Sequence, residues 1–159
     1  MKFIADGNLG KLAKELRMLG YDTLYYAGKD FHELIQLSRR QERTILTRNA
    51  RLTAKGVDGE IILVTEDSPT LQLKELLLKE IVSLDKGILF SRCLLCNSAV
   101  NRVGRQEVEG RVPDYIFHLH QEFYQCSQCR QIYWPGSHFE RMKKRLEEYR
   151  ENAHHQRDS

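Results

Sequence analysis

The chain has 159 residues, 41% hydrophobic and 30% charged, which suits a globular protein with an ordinary core and excludes collagen-like, mucin-like and wholly disordered classes. No apolar run approaches the roughly 18 residues of a membrane-spanning helix, so no membrane association is expected. With 25 Lys and Arg against 22 Asp and Glu, the net charge of +3 is too weak to argue for nucleic acid by itself.

The opening MKFIADGNLG carries an acid at position 6 and no long apolar stretch; a signal peptide is not expected, and the expected location is cytoplasmic. Lys2 to Ala5 reads as a short strand ending at Asp6, with Gly7 and Asn8 in the turn. Leu9, Leu12, Ala13, Leu16 and Leu19 then recur at helical spacing, and Gly20 stands at a C-terminal cap position. Lys11, Lys14 and Arg17 fall on the other face of that helix. Thr23 to Tyr26 is a second strand. Asp30 caps a helix from about Phe31, with Glu33 three residues on in a capping-box-like position, and Leu34, Ile35 and Leu37 facing the core. Thr44 to Thr47 is a third strand, followed by a turn into a short helix at Arg48 to Leu52. Ile61 to Thr65 is nearly all apolar, as buried parallel strands are. Pro69 opens the next helix. Strands alternating with helices at this spacing predict an α/β fold, a mainly parallel sheet with helices on both faces. Functional groups of such sheets gather outside the carboxyl ends of the strands.

Beyond residue 90 the helical periodicity stops. The stretch Asn101 to Glu122 carries β-like runs at Val103, Val108, Val112 and Tyr115 to Leu119, and a helix is predicted over His138 to Arg150. The expected division is an α/β domain over 1–90, a small cysteine-bearing domain with its helix over 91–150, and a polar tail over 151–159 that frays.

The cysteines fall as two pairs, Cys93-x-x-Cys96 and Cys126-x-x-Cys129. Each pair can form a knuckle that aims two sulfurs at one ion, and four thiolates satisfy tetrahedral zinc with no open position. Iron suits the same cage and stays open as the alternative metal. The role is structural, because no coordination position remains for substrate. Zinc with four thiolates carries −2, so any nucleic-acid surface must be a local patch. His118, His120 and His138 lie nearby and are assigned to packing or hydrogen bonding.

In the first half, acids fall at strand ends. Asp6 follows the first strand, and Asp67, beside Glu66, follows the fourth. Glu33 and Asp30 start the second helix. Asn49 stands two residues after the third strand, where another acid would belong. Carboxylates gathered in this way suit Mg²⁺ or Mn²⁺, which can activate water for phosphodiester cleavage. From spacing alone, helix capping and solvent exposure are the commoner account of such acids; they explain Asp30 fully and Asp6, which directly follows a buried strand, least. Lys11, Lys14, Arg17, Arg39, Arg40, Arg43, Arg48, Arg51 and Lys55 are candidate phosphate contacts or simply solvated faces. Tyr25, Tyr26, Phe123, Tyr124, Tyr133 and Trp134 can stack bases, although most are assigned to the core.

The stretches FIADGNLGKLAKELRMLGYDTLYY, ILTRNARL, RCLLCN and FYQCSQCRQIYWPGSHFERM resemble the Mut-seven C-terminal RNase family over about residues 1–147. The resemblance implies a PIN-like mainly parallel sheet flanked by helices, followed by a small zinc ribbon, with metal-dependent endoribonuclease activity. Carried over residue by residue, Asp6, Glu33 and Asp67 match acids of the Mg²⁺ or Mn²⁺ site, and the four cysteines match the ribbon. Asn49 departs from the pattern, which has Asp there: TRN replaces TRD. An amide can ligate a cation but cannot act as a general base. The resemblance thus implies an endoribonuclease with catalytic Asp6, Glu33, Asn49 and Asp67; the basic residues Lys11, Lys14, Arg17, Arg48 and Arg51 around them are the expected RNA contacts. Arg92, Arg102, Arg105, Arg111 and Arg130 give the ribbon its own possible RNA contacts. The alternative is a non-catalytic RNA- or ribosome-binding protein that has lost turnover at Asn49; a weaker third is an adaptor whose ribbon docks another protein.

Overall fold

The computed structural model describes residues 1–54, 61–84 and 88–157, and Lys55 lies outside them. Four strands, β1 (Phe3–Ala5), β2 (Thr23–Tyr25), β3 (Thr44–Thr47) and β4 (Ile61–Leu63), form a parallel sheet in the order β2-β1-β3-β4. The helices α1 (Gly10–Met18), α2 (Phe31–Gln41), α3 (Ala50–Ala54) and α4 (Pro69–Leu78) alternate with them. Side-chain alternation along β1 and β3 divides the core between the two faces. Phe3, Ala5 and Leu46 pack with Leu12, Leu16, Leu73 and Leu76 of α1 and α4. Ile4 and Ile45 pack on the other side with Leu34 and Leu52 of α2 and α3. Ile4 pairs with Leu24 and Ile45, so both central strands are fully buried. β4 is only half-buried despite its apolar sequence, because it is an edge strand.

The caps follow the sequence. Asp30 accepts from the amides of His32 and Glu33, and Ser68 caps α4 ahead of Pro69. Gly20 closes α1 at φ +96°, with its amide bonded to Arg17 O and that of Tyr21 to Leu16 O. A Cβ at Gly20 would overlap the Ile88 carbonyl as well as strain this left-handed turn. Gly20→Ala is therefore expected to lower stability by more than about 2 kcal/mol, read as a shifted urea midpoint at unchanged slope.

A second, antiparallel sheet contains β5 (Val100–Val103), β6 (Phe123–Cys126) and β7 (Ile132–Tyr133). Of the segment Asn101 to Glu122, expected to be β-like, Asn101 to Val103 is strand, within β5, whereas the rest contains two short helices, α5 (Arg105–Val108) and α6 (Asp114–Leu119). Val108 at the end of α5, Val112 in the turn that follows and Ile116 in α6 are buried together against Phe123 and Ile132. Pro113 precedes α6, where its ring favours a helix start. The last helix, α7 (Ser137–Arg157), runs seven residues past its expected end at Arg150. Its Phe139, Met142 and Leu146 are buried in the core shared by α1 and α4. Phe90 joins the two sheets, with ring centroids 4.3 Å from Phe139 and 5.2 Å from Tyr124. Among the described residues, no helix is long and apolar enough to cross a membrane.

Candidate functional site

The two CxxC pairs sit at matching turns. Each second cysteine is followed by a residue with left-handed backbone, Asn97 at φ 65° and Arg130 at φ 67°. The Asn97 amide bonds Cys93 O, and the amides of Gln128 and Cys129 point at Cys126 Sγ at 3.4 and 3.5 Å. The four Sγ atoms lie within 4.8 Å of one another, with Cys93–Cys129 at 3.6 Å and Cys96–Cys126 at 3.4 Å. Sulfurs placed about 2.3 Å from a tetrahedral zinc stand about 3.8 Å apart, so the donor set fits that ion.

The charges around the cluster argue for a cation. Hydrogen bonds from the Ser98 side chain and amide pull the Cys96 thiol down to about 6. The Gln131 amide favours the Cys129 thiolate, but burial and the three neighbouring cysteines push it up to about 12. The crowding of sulfurs thus opposes ionisation of Cys129, and a divalent ion among them would displace its proton. Protein groups outside the sulfurs supply more. The Tyr133 hydroxyl donates to Cys93 Sγ at 2.9 Å and accepts from the Leu94 amide at 3.2 Å. The nearby guanidinium of Arg17 is held by its bonds to Thr23 O at 2.8 Å and Leu94 O at 2.7 Å. Arg17 was expected at the surface among the phosphate contacts. It is only 8% exposed and instead ties α1 and β2 to the first knuckle. The error has a simple cause: a long side chain beside a Gly-capped helix end can fold inward to reach backbone carbonyls.

Asp6, Asn49 and Arg48 do meet, at the carboxyl edge of the parallel sheet. They line an open hollow of about 510 Å³ together with Asn8, Tyr25 and Lys29. Asp6 is half-buried and held by neutral donors: the Gly7 amide reaches Oδ1 at 2.6 Å and the Thr47 hydroxyl reaches Oδ2 at 3.0 Å. Thr47 in turn accepts from the Asn49 amide at 3.0 Å. The side-chain oxygen of Asn49 accepts from Arg51 N at 3.0 Å, capping α3.

The other acids go elsewhere. Glu33 accepts from the Tyr26 hydroxyl at 2.8 Å. Asp67 pairs with Arg48 at 2.6 Å, and its side chain is 93% exposed. Neither lines the hollow. Among the described residues, the four cysteines form the only group of three or more Cys, His, Asp or Glu with ligand atoms within 4.8 Å of one another. The ligand atoms of Asp6, Glu33 and Asp67 are thus not gathered within 4.8 Å of one another. The lining of the hollow holds one carboxylate, Asp6, and two cations, Lys29 and Arg48, the second of them shared with the exposed Asp67.

Lys11, Lys14 and Arg51 are exposed, whereas Arg43 is spent on Asp22 at 2.8 Å. Around the second sheet, Arg92, Arg105 and Arg111 donate to backbone carbonyls, and Arg102 of β5 lies 3.9 Å from Glu122. Lys29, Asn8 and Thr47 were missed by the sequence reading. Their signal was positional, since each stands at or just past the carboxyl end of a strand.

No curated protein and no solved structure matches the chain. A family model, the Mut7-C RNAse domain, matches residues 1–146. With the parallel sheet, the four-cysteine cluster and a match over nearly the whole length, the chain belongs to the Mut7-C RNAse domain family.

Proposed function

We propose that the chain binds single-stranded RNA in the hollow beside Asp6 and that it has little or no hydrolytic turnover. The observation that carries this is the make-up of the hollow: Lys29, Arg48 whose partner Asp67 is solvent-exposed and can give way to a phosphate, Tyr25 as an exposed ring, and Asp6 as the one carboxylate in the lining. Cations at a strand-end hollow attract phosphates, and an exposed ring offers a stacking face to an unpaired base. Asn49 supports the absence of turnover. Its amide cannot accept a proton from water, and its oxygen is committed to the start of α3. The zinc cluster serves as a brace, since four sulfurs leave no position for a reacting group.

A second reading, metal-dependent endoribonuclease cleavage, is favoured by Asp6 itself, which is fixed in orientation at the mouth of the sheet. Purified protein with mixed RNAs and Mn²⁺ separates the two. Binding that weakens steeply with salt and at least tenfold on Arg48→Glu, with no cleavage, is the expected result. Asn49→Asp tests whether the missing acid alone limits turnover. Cleavage by wild type that Asp6→Asn abolishes would install the nuclease reading instead.

A further inference from the structure

The hollow does not end at Tyr25. The same ring walls a second open depression, of about 580 Å³, between the start of α1 and the first cysteine knuckle. Lys11, Lys14, Leu94 and Leu95 line it, and no carboxylate does. Lys11 and Lys14 are three residues apart, so they share a helix face, and among the described residues neither forms an ion pair. Leu95 stands at the knuckle tip with 61% of its surface exposed. Tyr25 is 44% exposed, and its orientation is fixed. Its hydroxyl donates to Gly7 O at 2.6 Å, and a Cβ at Gly10 would stand 3.4 Å from the ring. An exposed, immobilised ring between two cationic depressions is what a single strand needs at a point where it passes from one to the other.

We propose that the two depressions form one continuous track for single-stranded RNA. One base stacks on Tyr25, the backbone passes Lys11 and Lys14, and Leu95 of the zinc knuckle meets a further base. This rests on the RNA-binding reading and extends it: the zinc-bearing segment becomes part of the binding surface, and the preferred ligand is an unpaired strand longer than the hollow alone can hold.

The test compares oligouridylates of about 3 and about 12 nucleotides with the zinc-loaded full chain. Wild type is expected to bind the longer strand at least tenfold more tightly. In the Lys11→Gln/Lys14→Gln variant, the advantage of the longer strand shrinks. The slope of log affinity against log salt for that strand falls by about 1.4, two phosphate contacts at about 0.7 each. Leu95→Ser reduces the length advantage without changing that slope. Tyr25→Ala weakens the longer strand about tenfold, whereas Tyr25→Phe, which keeps the ring, does not. An unchanged slope and length advantage in the double lysine variant overturns the track and leaves the hollow reading intact. Equal affinity for a duplex of the same length also overturns it. Failure of wild type to bind either oligomer overturns the hollow reading and the track together.

Discussion

Cys126→Ser is expected to abolish stoichiometric zinc binding and unfold the second sheet. The buried set there is small, essentially Val108, Val112, Ile116, Phe123 and Ile132. Burial of so few side chains does not offset the conformational entropy of ordering a segment with two knuckles, two short helices and three strands. Structural zinc in small peptides supplies roughly 10–16 kcal/mol of apparent binding energy, so the ion decides whether such a segment folds. The effect should be local at first. Amide exchange should lose protection at Tyr124, Gln125 and Cys126, which pair with Arg102, Asn101 and Val100, while Phe3 to Ala5 stay protected. A chelator should reproduce the pattern in wild type, and zinc should restore it there but not in the variant. Unchanged protection after chelation would show that the sheet stands without metal.

Asp22→Ala is expected to cost about 3 kcal/mol or more, because it strands a cation with little water around it. Asp22 accepts from Arg43 at 2.8 Å and from Asn97 Nδ2 at 2.6 Å, and Arg92 lies 3.7 Å away. The Arg43 side chain is 8% exposed. Asn97 also accepts from the Thr23 amide at 3.0 Å, so this acid joins β2, β3 and the first knuckle. Burial pushes the Asp22 carboxyl up, but hydrogen bonds from Arg43 and Asn97 outweigh it and hold the group below its ordinary 3.8. A carboxyl lowered on folding contributes stability that is complete above the unfolded value and lost as pH falls through the folded one. Wild type should therefore lose this contribution on acidification below about pH 3.8, whereas Asp22→Asn should show a flatter pH dependence there. Urea midpoints of both proteins across that range measure it.

Where the local pattern and the tertiary pattern agree, the fold was readable. The strand at Thr44 to Thr47 and the apolar stripe of α1 have one periodicity each, and burial follows it. The stretch from Arg105 to Leu119 defeated the reading because valines favour strands locally, while Val108, Val112 and Ile116 are buried from two short helices and the turn between them, against Phe123 and Ile132. The four-cysteine cluster was legible because two CxxC pairs encode geometry in the sequence itself. The acidic constellation was not, since the position of a carboxylate after a strand does not fix its partner. Asp67 turned to Arg48 and Glu33 to Tyr26, and only Asp6 faces the hollow. Arg17 shows the same limit from the other side, a surface-like residue drawn inward by two carbonyls.

The placement of α7 has a consequence for how the polypeptide acquires its shape. Phe139, Met142 and Leu146 complete an interior whose other walls are Leu12, Leu16, Leu73 and Leu76. During synthesis the parallel sheet emerges first, yet its hydrophobic interior stays open on one flank until almost everything else has been made. Closure then waits on a contact spanning most of the sequence, a slow step by its loop entropy. The four-cysteine cluster lies between the parallel sheet and that final helix in the sequence, so folding of the segment that carries it shortens the free chain that must close.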